Sequence, residues 1–195
     1  MRFSVVGTGY VGLSLSILIS QKYDVKCIDI DPIKVNKINN KISPFNDNEI
    51  EKYLRNKKLN LEAIISPEKI NESYLNSDYI IIATPTDYDI ESGEFDTSTI
   101  EKTLSDILKI NKSSIIIIKS TIPLGYTEKL KNKFSYADIY FSPEFLREGH
   151  ALYDNLYPSR IVMGGTNEQS KKFSNILSEL ALKDKNEINQ YFMSS

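Results

Sequence analysis

Apolar residues in this chain gather into short dense runs, and the runs alternate with stretches in which apolar positions recur at helical spacing. The first run, Phe3 to Val6, predicts a strand. It is followed by Leu13 to Ile19 in helical rhythm and by a second strand over Val25 to Ile28. Asp31-Pro32 reads as a cap followed by proline at the first helical position, with Val35 and Ile38 on the inner face of a short helix. A further helix is expected over 48–57, and Ala63 to Ile65 is a strand candidate. Tyr79 to Ala83 carries the unbroken run Ile80-Ile81-Ile82, the pattern of a strand covered on both faces, and stops at Thr84-Pro85-Thr86. Residues 87–96 lack apolar periodicity and predict a polar loop. Thr97 or Ser98 then caps a helix bearing Ile100, Leu104, Ile107 and Leu108. Ser114 to Ile118 is the next buried strand, closed by Lys119-Ser120-Thr121-Ile122-Pro123, and a helix is expected from about Gly125 to Phe134. Ile139 to Phe141 and Arg160 to Met163 are the remaining strands. A last helix places Phe173, Ile176, Leu177, Leu180 and Ala181 on one face. Strands alternating with amphipathic helices predict an α/β fold, a mostly parallel sheet with helices on both faces.

The first strand ends in Gly7-Thr8-Gly9-Tyr10-Val11-Gly12, and Asp29 follows the second strand, 22 residues after Gly7. Three glycines between a strand and a helix have separate roles. Gly7 permits the tight turn, Gly9 lets backbone amides approach a pyrophosphate, and Gly12 lets the helix pack closely. The free N–H groups at the helix start, including those near Tyr10 and Val11, then face two negative charges. Asp29 stands where a carboxylate accepts ribose hydroxyls, which favours NAD over NADP because a 2′-phosphate meets like charge. The expected fold is therefore Rossmann-like. In such sheets ligands bind beyond the carboxyl ends of the strands, so Gly7–Gly12, Asp29, Thr84–Thr86, Ser120-Thr121 and Glu144–Glu148 are expected to share one crevice.

With 195 residues, the chain can bury about 70% of its unfolded surface without a metal or disulfide staple. A net charge of −2 with no long run of one sign points to neither nucleic acid nor an anionic membrane as partner. Cys27, the single cysteine, lies in a predicted strand and is expected in the core, with no disulfide and no metal ligand role. No leader or membrane-spanning run is recognisable, and a cytoplasmic location is the default expectation.

Several strings together resemble the UDP-glucose 6-dehydrogenase family along the whole chain. Besides the glycine turn and Asp29-Ile30-Asp31, they are Ala83-Thr84-Pro85-Thr86, Lys119 to Gly125, Ser142-Pro143-Glu144-Phe145-Leu146-Arg147-Glu148-Gly149-His150-Ala151 and Pro158-Ser159-Arg160-Ile161-Val162. The resemblance implies oxidation of UDP-glucose to UDP-glucuronate with two NAD, through an aldehyde and a cysteine-bound thioester, and a place in nucleotide-sugar metabolism and polysaccharide biosynthesis. It also implies that the cysteine, lysine, asparagine and aspartate of the active site lie downstream of the segments found here. Residues 1–190 are accordingly expected to be the NAD-binding domain. Residues 191–195 are expected to begin a linker toward a central helix, the family's main route to homo-oligomers, and a UDP-sugar-binding domain. Alone, the chain is expected to be inactive. The alternatives are the matching domain of another UDP-sugar dehydrogenase and a catalytically silent NAD-binding fragment.

By resemblance Val11 sits under the pyrophosphate turn, Asp29 and Lys34 hold the adenosine end, Thr84 contacts the middle of the cofactor and Thr121 lies near the nicotinamide. Glu148, with Thr121, is the expected holder of a catalytic water. Glu144 resembles the partner of the downstream lysine, and Phe145, Leu146 and Arg147 resemble the segment that cradles the sugar. Charge alone assigns Arg147 to a diphosphate, its structural alternative being a salt bridge. His150, the single histidine, has no family role at its position.

Overall fold

In a computed structural model of the chain, which describes residues 1–90, 93–136 and 138–194, the isoleucine runs form the middle of a six-stranded parallel sheet. The elements begin with β1 (Arg2–Val6), α1 (Tyr10–Ser20), β2 (Asp24–Ile28), α2 (Pro32–Asn39) and α3 (Asn48–Asn56). β3 (Leu61–Ile64), α4 (Pro67–Asn76), β4 (Tyr79–Ile82) and two short strands, β5 (Tyr88–Asp89) and β6 (Glu94–Phe95), follow. The second half runs through α5 (Ser98–Ile110), β7 (Ile115–Ile118), α6 (Tyr126–Phe134), β8 (Ile139–Phe141) and α7 (Ala151–Leu156). It closes with β9 (Arg160–Gly164), α8 (Glu168–Leu180), a 3₁₀ turn over Lys185–Glu187 and β10 (Asn189–Met193).

The sheet order is β3-β2-β1-β4-β7-β8, so the direction of winding reverses between β1 and β4. Alternation of side chains divides the interior in two. Phe3, Val5, Cys27, Ile81 and Ile117 face a core with α1 and α8, while Val6, Ile80, Ile82, Ile116 and Ile118 face one with α5 and α6. Ile80–Ile82 and Ile116–Ile118 are fully buried, as the unbroken runs predict, each such side chain contributing about 1.5–3 kcal/mol of burial. Ser4 interrupts the first run without penalty because its hydroxyl is bonded to those of Ser73 and Ser77. Cys27 is buried, and burial pushes its thiol up to about 12.

Register makes the sheet useful. Val6 lies opposite Ile28 and Ile82, Ile82 opposite Ile118, and Ile118 opposite Phe141. The residues that follow those strand ends therefore emerge along one rim.

Helix starts follow local chemistry. Asp31 accepts bonds from the amides of Ile33 and Lys34 with Pro32 in the first turn, and Asp47 does the same for Glu49 and Ile50; such caps contribute about 1 kcal/mol each. Neither Thr97 nor Ser98 caps α5 through its side chain. Asp96 instead accepts from the Ser98 amide, its carboxylate outcompeting a hydroxyl.

Three parts of the structure differ from the sequence reading. The polar segment 87–96 contains the antiparallel pair β5 and β6, joined by the edge contact of Tyr88 with Phe95; residues 91 and 92 lie outside the described residues. β9 does not extend the six-stranded sheet but pairs in parallel with β10, so residues 191–193, read as the start of a linker, belong to a strand; Ser195 lies outside the described residues. The Ser142 hydroxyl, donating to the Val162 carbonyl at 3.1 Å, ties this pair to the end of β8. Helices α4 and α7 were also not anticipated. Among the described residues no helix is long and apolar enough to cross a membrane.

Candidate functional site

At the reversal point, β1 runs into α1 through three glycines that the structure separates by role. Gly7 has φ +96°, and a Cβ there would lie 2.3 Å from the Ala83 carbonyl oxygen, so both conformation and contact demand glycine. A Cβ on Gly12 would lie 1.9 Å from the Gly7 carbonyl oxygen, which holds α1 against the turn. Gly9 has φ −66°, and a Cβ there meets nothing within 4 Å. Its missing side chain leaves space beside the first amides of α1, where no side chain caps the helix. The turn thus offers free N–H donors, an open approach and the positive end of a helix dipole, a cradle fitted to a pyrophosphate.

Asp29 stands at the end of β2 with its side chain only 9% exposed. One carboxylate oxygen accepts the Thr8 amide at 2.8 Å and also the Thr8 hydroxyl; the other accepts the Asp31 amide at 3.0 Å. Lys34 Nζ is 3.9 Å away. Burial opposes ionisation, but the Thr8 hydroxyl, the Asp31 and Thr8 amides and the Lys34 charge outweigh it and hold the carboxyl below its ordinary value. Thr8, wholly buried, is a part of this arrangement that the sequence reading passed over. Ile30, next in the chain, is 95% exposed beside it.

Beyond β4 and β7 the loops are tied together. The Ser120 hydroxyl donates to the Thr84 carbonyl at 2.6 Å, and the Thr99 hydroxyl contacts those of Thr84 and the Pro85 carbonyl. Thr121 is exposed on this rim. After β8, Glu144 accepts the Leu146 amide at 2.6 Å and so folds the loop on itself. Glu148 is exposed. Tyr10, at the start of α1, has its phenol pKa raised by burial and then by the charges of Glu144 and Glu148. The charges of Glu144 and Glu148 thus reach the first residue of α1.

Arg147 is engaged within the chain. Its guanidinium and backbone amide grip Asp154, with Nη2 2.6 Å and Nε 3.1 Å from the two carboxylate oxygens, and the pair is the salt bridge that the sequence left as its alternative. Arg160, to which the sequence reading gave a strand and a place in the resemblance but no role, stacks its guanidinium 4.0 Å from the centre of the Phe145 ring. Both arginines and Phe145 line a cleft of about 410 Å³ that also includes Lys119, Glu144 and Tyr157. Lys119 Nζ donates to the Ser142 hydroxyl at 3.3 Å and the Pro143 carbonyl at 3.2 Å, and burial lowers its pKa to about 8 against a smaller opposing pull from Glu144. His150 starts α7 without a side-chain cap.

Known proteins carry the same organisation. The chain is 47% identical over 190 residues to a UDP-glucose 6-dehydrogenase of Streptococcus pneumoniae and 45% identical over 199 residues to one of Campylobacter jejuni, matching 94% and 100% of this chain. It spans about half the length of these relatives, 48% and 49%. Among solved structures, a UDP-glucose dehydrogenase from the archaeon Pyrobaculum islandicum superposes with a TM-score of 0.83 at 25% identity, covering 99% of this chain and 46% of that one. The family described as "UDP-glucose/GDP-mannose dehydrogenase family, NAD binding domain" matches residues 1–181, the span from β1 through α8 that builds the glycine cradle, Asp29 and the loop after β8. The chain therefore belongs to the UDP-glucose/GDP-mannose dehydrogenase family, as its NAD-binding domain.

Proposed function

We propose that this chain is the cofactor-binding half of a UDP-glucose 6-dehydrogenase, which oxidises UDP-glucose to UDP-glucuronate with two NAD. The observation that carries the reading is the open glycine cradle beside the largely buried, amide-bonded Asp29 carboxylate, in a chain 47% identical to a protein of that name. In this proposal Gly7, Gly9, Tyr10, Val11 and Gly12 seat the pyrophosphate, while Asp29 and Lys34 hold the adenosine end. Thr84 and Thr121 flank the cofactor toward the nicotinamide. NAD, when bound, accepts the hydride that each oxidation of the sugar carbon releases.

The protein groups manage protons and position. Glu148, exposed on the rim, acts with Thr121 to hold a water and to take its proton when an acyl intermediate is hydrolysed. Glu144 shapes the loop through the Leu146 amide. Phe145, Leu146 and Arg147 form the wall along the sugar. Arg147 acts there through its backbone and through the clasp to Asp154, since its guanidinium is already paired. UDP-glucose is the proposed substrate of the complete protein. We propose that the complete protein forms homo-oligomers through a central helix outside this chain, works in the cytoplasm, and needs neither nucleic acid nor membrane.

Incubation of the 195-residue chain with UDP-glucose and NAD is expected to give no sustained NADH absorbance. Its single thiol, Cys27, is buried with a pKa near 12 and cannot trap an aldehyde. In the full-length protein, Glu148→Gln is expected to slow hydrolysis by about 10² to 10⁴, the scale of a lost general base, and to accumulate a covalent adduct visible by intact mass. UDP-glucuronate formed by the chain alone, or normal turnover without adduct in the variant, contradicts the proposal.

A further inference from the structure

Lys119 is an amine without a carboxylate partner within salt-bridge distance among the described residues, placed on the wall of the cleft rather than in solvent. It leaves the carboxyl end of β7, one step beyond Ile118, whose partner across the sheet is Phe141 of β8. Its reach across that seam ends on two groups of the following loop, the Ser142 hydroxyl and the Pro143 carbonyl. Ser142 itself donates to the Val162 carbonyl in the middle of β9 and receives the lysine on its oxygen, so the ends of β7 and β8 and the body of β9 meet at one hydroxyl. Directly after Pro143 the chain turns through Glu144, whose carboxylate takes the Leu146 amide. Charge held in partly buried surroundings is costly unless satisfied, and here two protein oxygens satisfy it.

We propose that Lys119 is the positioning residue of the Glu144–Glu148 loop: its ammonium clamps the backbone at Pro143 and thereby fixes where Glu144 and the residues after it project. The inference rests on the reading of that loop as the substrate-facing wall, but the clamp itself is testable without substrate. Of the titratable groups around the cleft, Glu144 acts on Lys119; Asp154 on α7 is taken by Arg147, and Arg160 of β9 lies on Phe145. Lys119 acts through the loop and touches no reacting atom.

The test is amide NMR of the whole chain. In the unaltered chain, the amide shifts of Glu144, Phe145 and Leu146 are expected to titrate together with a midpoint near 8, the value to which burial brings Lys119. Lys119→Met and Lys119→Arg should both abolish that titration. Exchange protection of the Leu146 amide should fall about tenfold in Lys119→Met, the scale of losing a bond from a charged donor, and return in Lys119→Arg. Loop amides of the unaltered chain that stay unmoved while the Lys119 side-chain signals themselves titrate overturn the clamp, and that arm needs no variant to fold. Equal protection in Lys119→Met overturns it as well. NAD affinity measured on the same samples reports separately: a chain that fails to bind NAD while the loop still titrates contradicts the functional reading and leaves the clamp supported.

Discussion

Gly9→Val should empty the cofactor site while leaving the fold intact, and the structure supplies both halves of that expectation. At Gly9 the backbone is in an extended conformation open to any L-residue, and a Cβ has no neighbour within 4 Å. The folded state therefore gains no clash, and removing glycine freedom from the unfolded chain contributes about 0.4–1 kcal/mol of stability. The same open space is the approach to the first amides of α1, so a branched side chain stands where the pyrophosphate must come. Crowding of this kind costs about 1–3 kcal/mol, or roughly 5- to 150-fold in NAD affinity. Gly12→Ala is the internal contrast, because its Cβ would sit 1.9 Å from a backbone oxygen that cannot turn aside. It should lose about 3 kcal/mol of stability or more. Urea denaturation gives the stabilities and titration calorimetry the affinities. A folded Gly9→Val that binds NAD normally, or one destabilised as much as Gly12→Ala, refutes the division of labour among the glycines.

Other outcomes follow from the charged groups. Asp29 has a folded pKa below its unfolded one, so its bonds contribute stability above the ordinary carboxylate range and lose it as pH falls. The stability difference between the unaltered chain and Asp29→Asn should accordingly shrink below about pH 4 in acid denaturation. Lys119 has the opposite character, a base whose folded pKa of about 8 lies below its ordinary 10.5, so the unfolded chain binds the extra proton between those values. Stability of the unaltered chain relative to Lys119→Met should rise through that interval by up to about 3 kcal/mol, and a flat difference contradicts the burial of the amine. Asp154→Asn should loosen the Arg147 clasp, seen as faster exchange of the Arg147 amide, with NAD affinity unchanged.

The turn from β1 to β2 was legible because its requirements are local: glycine positions, a helix start and an acid at fixed spacing determine the geometry. The isoleucine runs were legible because a strand covered on both faces carries a polar residue only where, as at Ser4, the fold supplies it with partners. Short elements left little trace. Helix α7 spans only six residues, too few for a periodic pattern, and α4 buries only Ser73 and Tyr74. β10 alternates exposed and half-buried residues against β9 alone, so its last residues, 191–193, resembled the start of a linker. At the site, residue types announced charge but not its partners. For Arg147 the diphosphate and the salt bridge stayed open because its acceptor, Asp154, meets it only once α7 forms. Lys119 opened one of the strings of the resemblance but carried no role; its acceptors, Ser142 and Pro143, reach it only once β8 pairs with β7. Thr8 was hidden for the same reason, being the middle of a glycine motif until Asp29 closes on it.

The central claim is that the glycine turn and Asp29 together make an NAD site, and titration of the unaltered chain with NAD and then with NADP addresses it most directly. NAD should bind, and NADP should bind at least about tenfold more weakly, because its 2′-phosphate would meet the ionised Asp29 carboxylate at close range. Equal affinity for the two cofactors, or no binding of NAD by the folded chain, contradicts the account.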